Sequence, residues 1–441
     1  MPDTVRAALD ALEGSGYEAW CVGGCVRDAL LGRALNDYDI ATAASWQETE
    51  RICTACGFTV HRTGVKHGTV TVSRDNIALE ITTYRTDGTY TDGRHPDSVS
   101  FVQSIEEDLA RRDFTMNALA FHPVRGLLDC WGGLDDIETR VIRVVGDPSQ
   151  RFREDGLRIL RGCRFASQLG FEIERETLAT MISHKMMLQL VSAERITHEL
   201  DALLLGDFVH DALMETIDVL GAIMPEVVAC KGFDQHTPYH IYDVWEHIAW
   251  VVQRAPATRL ARWAALFHDI GKPAALFMEG DRGHFFGHAR LSAILARDIM
   301  NRLSMSPAFI ERVVTLVLIH DNQIAATSRS VRKALGRLDG DVEMFRTLIG
   351  IKRADALAQS HLSQPRIDLS YDLEHVLDDI IAQGDAFTVK QLAINGHDVM
   401  TLGIQAGPAV GKALNAALDA VIDERVANDP QALLNYLAKR V

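Results

Sequence analysis

No apolar run in these 441 residues approaches the ~20 residues that a bilayer-crossing helix requires, so no transmembrane segment is expected. The opening MPDTVRAALD lacks a basic stretch followed by an apolar one, so no secretory leader is expected either, and the chain reads as cytoplasmic. Cysteine is sparse. Seven residues at irregular positions form no disulfide framework, which suits a reducing compartment. Cys53 and Cys56 make a lone C-x-x-C with no second pair at zinc spacing, and read as small residues on a helix. Positive charge is also short: 45 Lys and Arg face 60 Asp and Glu, a net charge of −15. That balance excludes indiscriminate coating of nucleic acid and turns attention to where the arginines cluster. What is plentiful is core-forming material, 47% hydrophobic, in a chain long enough for two to four domains of roughly 100–200 residues.

The first informative stretch is GGCVRDALLGRALNDYD, residues 23–39. Two glycines follow the apolar run Trp20-Cys21-Val22, and a helical segment carrying Arg27 leads to DYDIAT. On a strand, Asp37 and Asp39 point to one face. Glycines such as Gly24 let backbone N–H groups approach phosphate oxygens, and paired aspartates supply hard oxygen ligands for Mg²⁺. Flanking this stretch, residues 4–13 and 45–56 read as helices, and 57–61, 68–73 and 77–83 as strands. Glu80, on the last strand, has two readings: a third member of the acidic cluster, or an exposed edge residue. Residues 85–100 have no periodicity and read as a long loop containing Arg94, His95 and Pro96. DLARRDFTMNALAF then sets Arg111 and Arg112, whose guanidinium geometry suits phosphate, ahead of Asp113 and Asn117, four apart as on one helix face. Residues 127–146 read as strand, turn, helix and strand.

In RFREDGLRILRGCRFASQLGF, 151–171, five arginines fall between positions 151 and 164. Read as one helix at about 100° per residue, it carries Asp155, Arg158, Arg161 and Arg164 on one half and Leu157, Ile159, Leu160, Cys163 and Ala166 on the other. Helices at 174–183 and 192–206 follow.

Together these strings resemble the signature of the polymerase-beta-type nucleotidyltransferases, in the form found in bacterial tRNA nucleotidyltransferases and poly(A) polymerases. The resemblance implies an α+β multidomain chain. A nucleotidyltransferase head with a mixed sheet (1–146) precedes an all-helical neck with a base-recognition helix (147–230), a body (231–360) and a helical tail (361–441). It implies Asp37, Asp39 and Glu80 as catalytic carboxylates, with Mg²⁺ on the aspartates. It implies nucleotide contacts from Gly24, Arg27, Arg112, Asp155, Arg158, Arg161 and Arg164, and structural or hinge roles for Glu194 and Arg195. The segment 85–100 matches a loop that helps relatives change from adding C to adding A; its retention favours full CCA or A addition over CC addition alone.

The chemistry of the Asp155/Arg158 pair follows. Cytosine and adenine both present an amino donor beside a ring-nitrogen acceptor. A carboxylate accepts from the amino group and a guanidinium donates to the ring nitrogen. Uracil and guanine set a carbonyl oxygen against the carboxylate, and an unpaired buried polar group costs about 1–3 kcal/mol. Such a pair selects C and A without a nucleic-acid template.

From about residue 236 histidines become frequent in apolar helical settings. His247, His268-Asp269, His288, His320 and Asp355 recur in an order that resembles the HD phosphohydrolase domain. The resemblance implies a metal-competent site with those six as ligands and His240 and His284 as neighbouring contacts. Such ligands suit Mn, Fe, Co, Ni or Zn better than Ca. A 2′,3′-cyclic or 3′ phosphate on damaged RNA is a substrate consistent with it. In the tail, Gly403, Gly407 and Gly411 flank a turn before a helix, read either as an RNA-phosphate contact or as ordinary turn chemistry.

The expectation is therefore addition of CCA to tRNA 3′ ends from CTP and ATP, with pyrophosphate released. Its rivals are poly(A) synthesis, A-only addition, and a chain whose main work is HD phosphohydrolysis. tRNA, ATP and CTP are the expected partners; nothing in the sequence sets an oligomeric state.

Overall fold

The computed structural model describes residues 1–35, 37–87 and 99–440. The chain divides into two compact units, Met1–Pro225 and Glu226–Val441. Among the described residues no helix is long and apolar enough to cross a membrane. Arg94, His95 and Pro96 lie outside the described residues.

The first unit begins with α1 (Asp3–Gly14), β1 (Ala19–Val22), α2 (Gly24–Leu30), β2 (Tyr38–Thr42) and α3 (Trp46–Ala55). It continues with β3 (Thr59–Gly64), β4 (Thr69–Arg74), β5 (Ile77–Thr83), β6 (Arg85–Asp87), β7 (Val99–Phe101) and α4 (Ile105–Ala110). Then come β8 (Leu119–His122), β9 (Gly126–Asp129), α5 (Gly133–Thr139) and β10 (Val141–Ile142). Seven strands form a mixed sheet in the order β3-β4-β5-β2-β1-β8-β9, in which only β2 and β5 run parallel. Its interior strand β1 is buried throughout, while the edge strand β3 is largely polar and exposed, which discourages pairing with another chain. Trp20, Val22, Ala41, Tyr84, Ile105 and Leu109 share one core against it. The segment read as an unstructured loop begins and ends in the antiparallel ribbon β6·β7, too short for its alternation to show in the sequence.

The rest of the unit comprises α6 (Pro148–Glu154), α7 (Leu157–Leu169), β11 (Glu172–Ile173), α8 (Arg175–His184), α9 (Ala193–Leu204) and α10 (Val209–Leu220). It is helical except for β11, which pairs with β10. The single helix expected over 151–171 is two. Asp155 leaves helical geometry (φ −144°, ψ 107°), and its Oδ1 accepts from the Leu157 N–H at 3.0 Å, capping α7. A Cβ on Gly156 would lie 2.9 Å from the Met187 carbonyl oxygen, so only glycine fits this corner. Asp113 and Asn117 also do not share an α-helix; Phe114 bridges to Val144 and 115–117 is a short 3₁₀ turn, yet Asn117 Nδ2 still donates to Asp113 Oδ1 at 3.1 Å.

The second unit holds α11 (Val244–Arg254), α12 (Arg259–Phe267), α13 (Lys272–Ala275), the hairpin β12 (Phe277–Glu279) and β13 (Arg282–His284), and α14 (His288–Arg302). α15 (Pro307–Ile319), α16 (Ser328–Arg337), α17 (Val342–Leu357) and α18 (Gln364–Gln383) complete the body. α19 (Gly396–Met400), α20 (Pro408–Ile422) and α21 (Pro430–Ala438) close on a separate small core that includes Leu392, Val399, Val421 and Leu433. Gly411 lies inside α20 rather than flanking its turn; Gly403 and Gly407 keep positive φ.

One buried carboxyl gives the first unit a pH signature. Glu215 on α10 is pushed up to about 7 by burial and by the neighbouring Glu172 and Asp211, against a hydrogen bond from Ile173. A raised carboxyl pKa stabilises the fold below about 4.5, and that stability is lost as pH rises through about 7. Glu215→Gln should therefore be more stable than the parent at pH 8 by about 1–2 kcal/mol, after allowance for solvent screening, and nearly equal at pH 5. Urea denaturation at the two pH values measures the difference.

Candidate active site and metal centre

Asp37 sits immediately before β2 and Asp39 is its second residue. Because β2 and β5 run parallel in register, Asp39 pairs with Glu80, so both carboxylates share a face. Burial raises the Asp39 pKa; Glu80 and Asp37 push the same way, and Arg112 opposes them. Asp39 and Glu80 thus stand side by side with Arg112 as the nearby cation, while Asp37, exposed like Glu80, acts on Asp39 electrostatically without the three closing to within 4.8 Å of one another as a set. Arg112 is held by Asp108 at 3.2 Å, and its guanidinium overhangs the glycine turn. A Cβ on Gly23, whose φ is +75°, would lie 2.7 Å from Arg112 Nη1. Gly24 opens α2 directly after that turn. Arg27 donates to Asn117 Oδ1 at 2.6 Å and is buried.

The neck residues are brought near one another but engaged with other partners. Asp155 is gripped by Arg195 through two hydrogen bonds, 2.7 and 3.4 Å. Arg158 donates to Glu154 at 2.7 Å and to the Arg111 carbonyl at 2.8 Å. Arg161 pairs with Asp113 at 2.6 Å and Arg164 with Glu199 at 2.5 Å. Arg27, Arg161 and Arg164 all face the Phe165 ring, at 5.1, 5.4 and 4.1 Å.

In the second unit the six expected ligands converge, as His247, His268 and Asp355 on one side and Asp269, His288 and His320 on the other. Three helices, α11, α14 and α17, and the turns after α12 and α15 deliver them. Each imidazole has Nδ1 against a main-chain carbonyl: Ala358 (3.2 Å), Ala265 (2.7 Å), Phe285 (2.8 Å) and Val317 (2.7 Å). A carbonyl only accepts, so Nδ1 carries a hydrogen and, in the neutral ring, Nε2 presents its lone pair inward, the state a metal-binding histidine takes. Against the burial that would lower it, Asp269 and Asp355 raise the pKa of His247, and Asp269 that of His288. Asp269 Oδ1 is buried without a hydrogen bond, 3.3 Å from His288 Nε2 and 3.6 Å from His320 Nε2. Buried imidazole nitrogens and carboxylates gathered this closely form a donor set that fits a transition metal. Lys272 supplies one positive charge, 2.6 Å from Asp269 Oδ2, and also donates to Gln235 at 2.7 Å. Burial and Lys272 lower the pKa of His240 to about 3, keeping it neutral. These groups open onto a cavity of about 800 Å³ that Lys352, Arg366 and His284 also line.

Three comparisons bear on this geometry. Residues 19–143 match the family model described as Poly A polymerase head domain. Residues 170–230 match "Probable RNA and SrmB- binding site of polymerase A", and 288–437 match a tRNA nucleotidyltransferase domain 2. A CCA-adding enzyme of Streptococcus gordonii is 33% identical, covering 100% of this chain and 98% of its own length. That of Geobacillus thermodenitrificans is 35% identical over 96% of this chain and 94% of its own. This chain belongs to the CCA-adding enzyme family. The crystal structure of the Bacillus stearothermophilus CCA-adding enzyme in complex with CTP superposes with a TM-score of 0.76 at 29% identity, covering 99% of this chain and 97% of that one.

Within this CCA-adding family member, sequence reasoning passed over two groups. Lys272 follows His268-Asp269 in H-D-I-G-K, and its spacing of three from Asp269 was a usable signal. Arg195 was read as structural, and its grip on Asp155 had no local signal. The metal centre makes a direct prediction. Equilibrium dialysis against Mn²⁺ or Ni²⁺ should find metal retained by the parent and held at least about tenfold more weakly by Asp269→Asn, with helical content unchanged.

Proposed function

We propose that this chain adds CCA to tRNA 3′ ends without a nucleic-acid template, using CTP and ATP in the cytoplasm. The observation that carries this reading is the full-length relationship to CCA-adding enzymes, joined to the Asp39–Glu80 pair acted on by Arg112, whose guanidinium overhangs the glycine turn. Asp37 and Asp39 would hold Mg²⁺, with Glu80 completing the cluster. When bound, Mg²⁺ lowers the pKa of the attacking hydroxyl and stabilises the leaving oxygen. The tRNA 3′ oxygen attacks the α-phosphorus, the bond to the bridging β-phosphate oxygen breaks, and pyrophosphate departs. The hydroxyl proton passes to the carboxylate cluster. Arg27 and Arg112 offset triphosphate charge, and the backbone N–H of Gly24 approaches a phosphate oxygen.

Asp155 and Arg158 read the base edge, and the Arg161 and Arg164 face adds positive charge beside them. Their present partners, Arg195 and Glu154, keep both groups compensated until a nucleotide arrives. In this reading 1–146 is the head, 147–230 the neck that meets RNA, 231–360 an HD body and 361–441 the tail. Full-length relatives that are CCA-adding enzymes disfavour poly(A) synthesis and A-only addition.

A second activity is favoured by the buried imidazole–carboxylate cluster of the second unit: metal-dependent hydrolysis of a phosphate ester. There water oxygen attacks phosphorus, the P–O bond to the ribose breaks, and the ribose oxygen takes the proton. A metal held by His247, His268, Asp269, His288, His320 and Asp355 would supply Lewis acidity, while Lys272 and Arg366 offset phosphate charge.

The two activities should separate. On tRNA trimmed to its discriminator base, labelled CTP and ATP should give three additions and a stop. Asp39→Ala should cut this rate on the order of 10²–10³-fold. His268→Ala should leave addition intact while abolishing hydrolysis of 2′,3′-cyclic AMP with Ni²⁺ or Mn²⁺. A ladder of adenylates would overturn the assignment.

A further inference from the structure

The mouth of the second unit's cavity carries an aromatic surface that the fold does not use. The turn from β13 into α14 reads His284-Phe285-Phe286-Gly287-His288. Phe285 turns inward: its carbonyl accepts from His288 Nδ1, and its ring lies 5.5 Å from Lys272 Nζ. Phe286 points the other way and is 75% exposed. Its ring stacks on His284 with centroids 5.3 Å apart and planes within 4°. His284 Nε2 is buried without a hydrogen bond, 3.3 Å from the exposed Glu279 carboxylate. Leaving a phenylalanine this open costs hydrophobic stabilisation, and here it is held flat rather than folded against the hairpin. Both rings line the same cavity as Asp269, His288, Lys272, Lys352 and Arg366.

That juxtaposition has a chemical meaning. The floor of the cavity is built for an anion that binds a cation centre, with ammonium and guanidinium groups around it in a chain of net charge −15. The rim offers one free aromatic face. A ligand that is a phosphate at one end and a flat ring at the other satisfies both. We propose that the His284–Phe286 stack is a base platform, so that the second unit's site takes nucleoside phosphates or the terminal nucleotide of an RNA, with the base resting on Phe286 and the phosphate on the floor. This rests on the reading of the second unit as a phosphohydrolase and adds the determinant of its substrate class. Every base has a π face, so the platform selects for a base without selecting which base.

The test compares ligands with and without a base on the metal-loaded full chain, in the parent, Phe286→Ala and Phe286→Trp. Equilibrium binding of 3′-AMP and 3′-UMP is set beside binding of inorganic phosphate, and hydrolysis of 2′,3′-cyclic AMP beside that of glycerol 1,2-cyclic phosphate. Phe286→Ala should weaken both nucleotides about 5- to 150-fold, the range of one base–aromatic stack, and raise KM for the cyclic nucleotide with little change in kcat. Inorganic phosphate and the glycerol ester should be unaffected, and Phe286→Trp should restore nucleotide binding. Equal weakening of phosphate and nucleotide by Phe286→Ala, or no weakening of either, overturns the platform. If the parent binds nucleotides and loses them in Phe286→Ala yet hydrolyses no ester, the phosphohydrolase reading fails while the platform stands.

Discussion

The first unit depends on guanidinium groups buried against carboxylates along one helix. Arg158, Arg161 and Arg164 rise from α7 at every third position, and each meets a carboxylate from a different part of the unit: Glu154, Asp113 and Glu199. Asp155, at the corner before α7, takes Arg195. A buried charge left alone costs several kcal/mol, so each pair must form together or be replaced by something of equal charge. This constraint fixes α7 against the loop that carries Arg111 and Arg112. Arg158 reaches the Arg111 carbonyl, one residue from the arginine over the glycine turn. The groups proposed to read the base and the triphosphate are thereby tied through a single hydrogen bond. A base edge read by Asp155 and Arg158 has therefore to compete with Arg195 and Glu154 for them.

The Asp39–Glu80 pair and the histidine centre follow the opposite rule. There, acceptors are gathered without matching donors. Asp39 and Glu80 are set side by side by a parallel register, and Asp269 Oδ1 is enclosed by imidazole nitrogens. The two sites differ in the cation they would take. Exposed carboxylate oxygens at a strand end suit a hard ion that keeps its water, whereas buried imidazole nitrogens suit a transition metal.

Much of this was legible in the residues. The strand 77–83 appeared at its observed bounds, and the order of His247, His268, Asp269, His288, His320 and Asp355 named the six groups that converge, whereas Asp37, read onto one strand with Asp39, lies just before β2. What sequence left open was pairing between distant segments. Glu80 had two equal readings because only strand order β5-β2 sets it beside Asp39. The arginine periodicity of 151–171 concealed a corner, because the amphipathic pattern runs on past Asp155 while Gly156 is confined by the distant Met187 carbonyl. Arg195 is forty positions from the carboxylate it holds, and no local pattern marks such a pair.

The central claim is that side chains at this corner stand in for a complementary base. The most direct measurement is the ratio of kcat/KM for CTP to that for UTP, on tRNA trimmed to its discriminator base, in the parent and in Asp155→Asn. An asparagine amide can donate to the uracil carbonyl that a carboxylate repels, so the ratio should fall at least about tenfold. An unchanged ratio in a variant that still adds nucleotides would contradict the account.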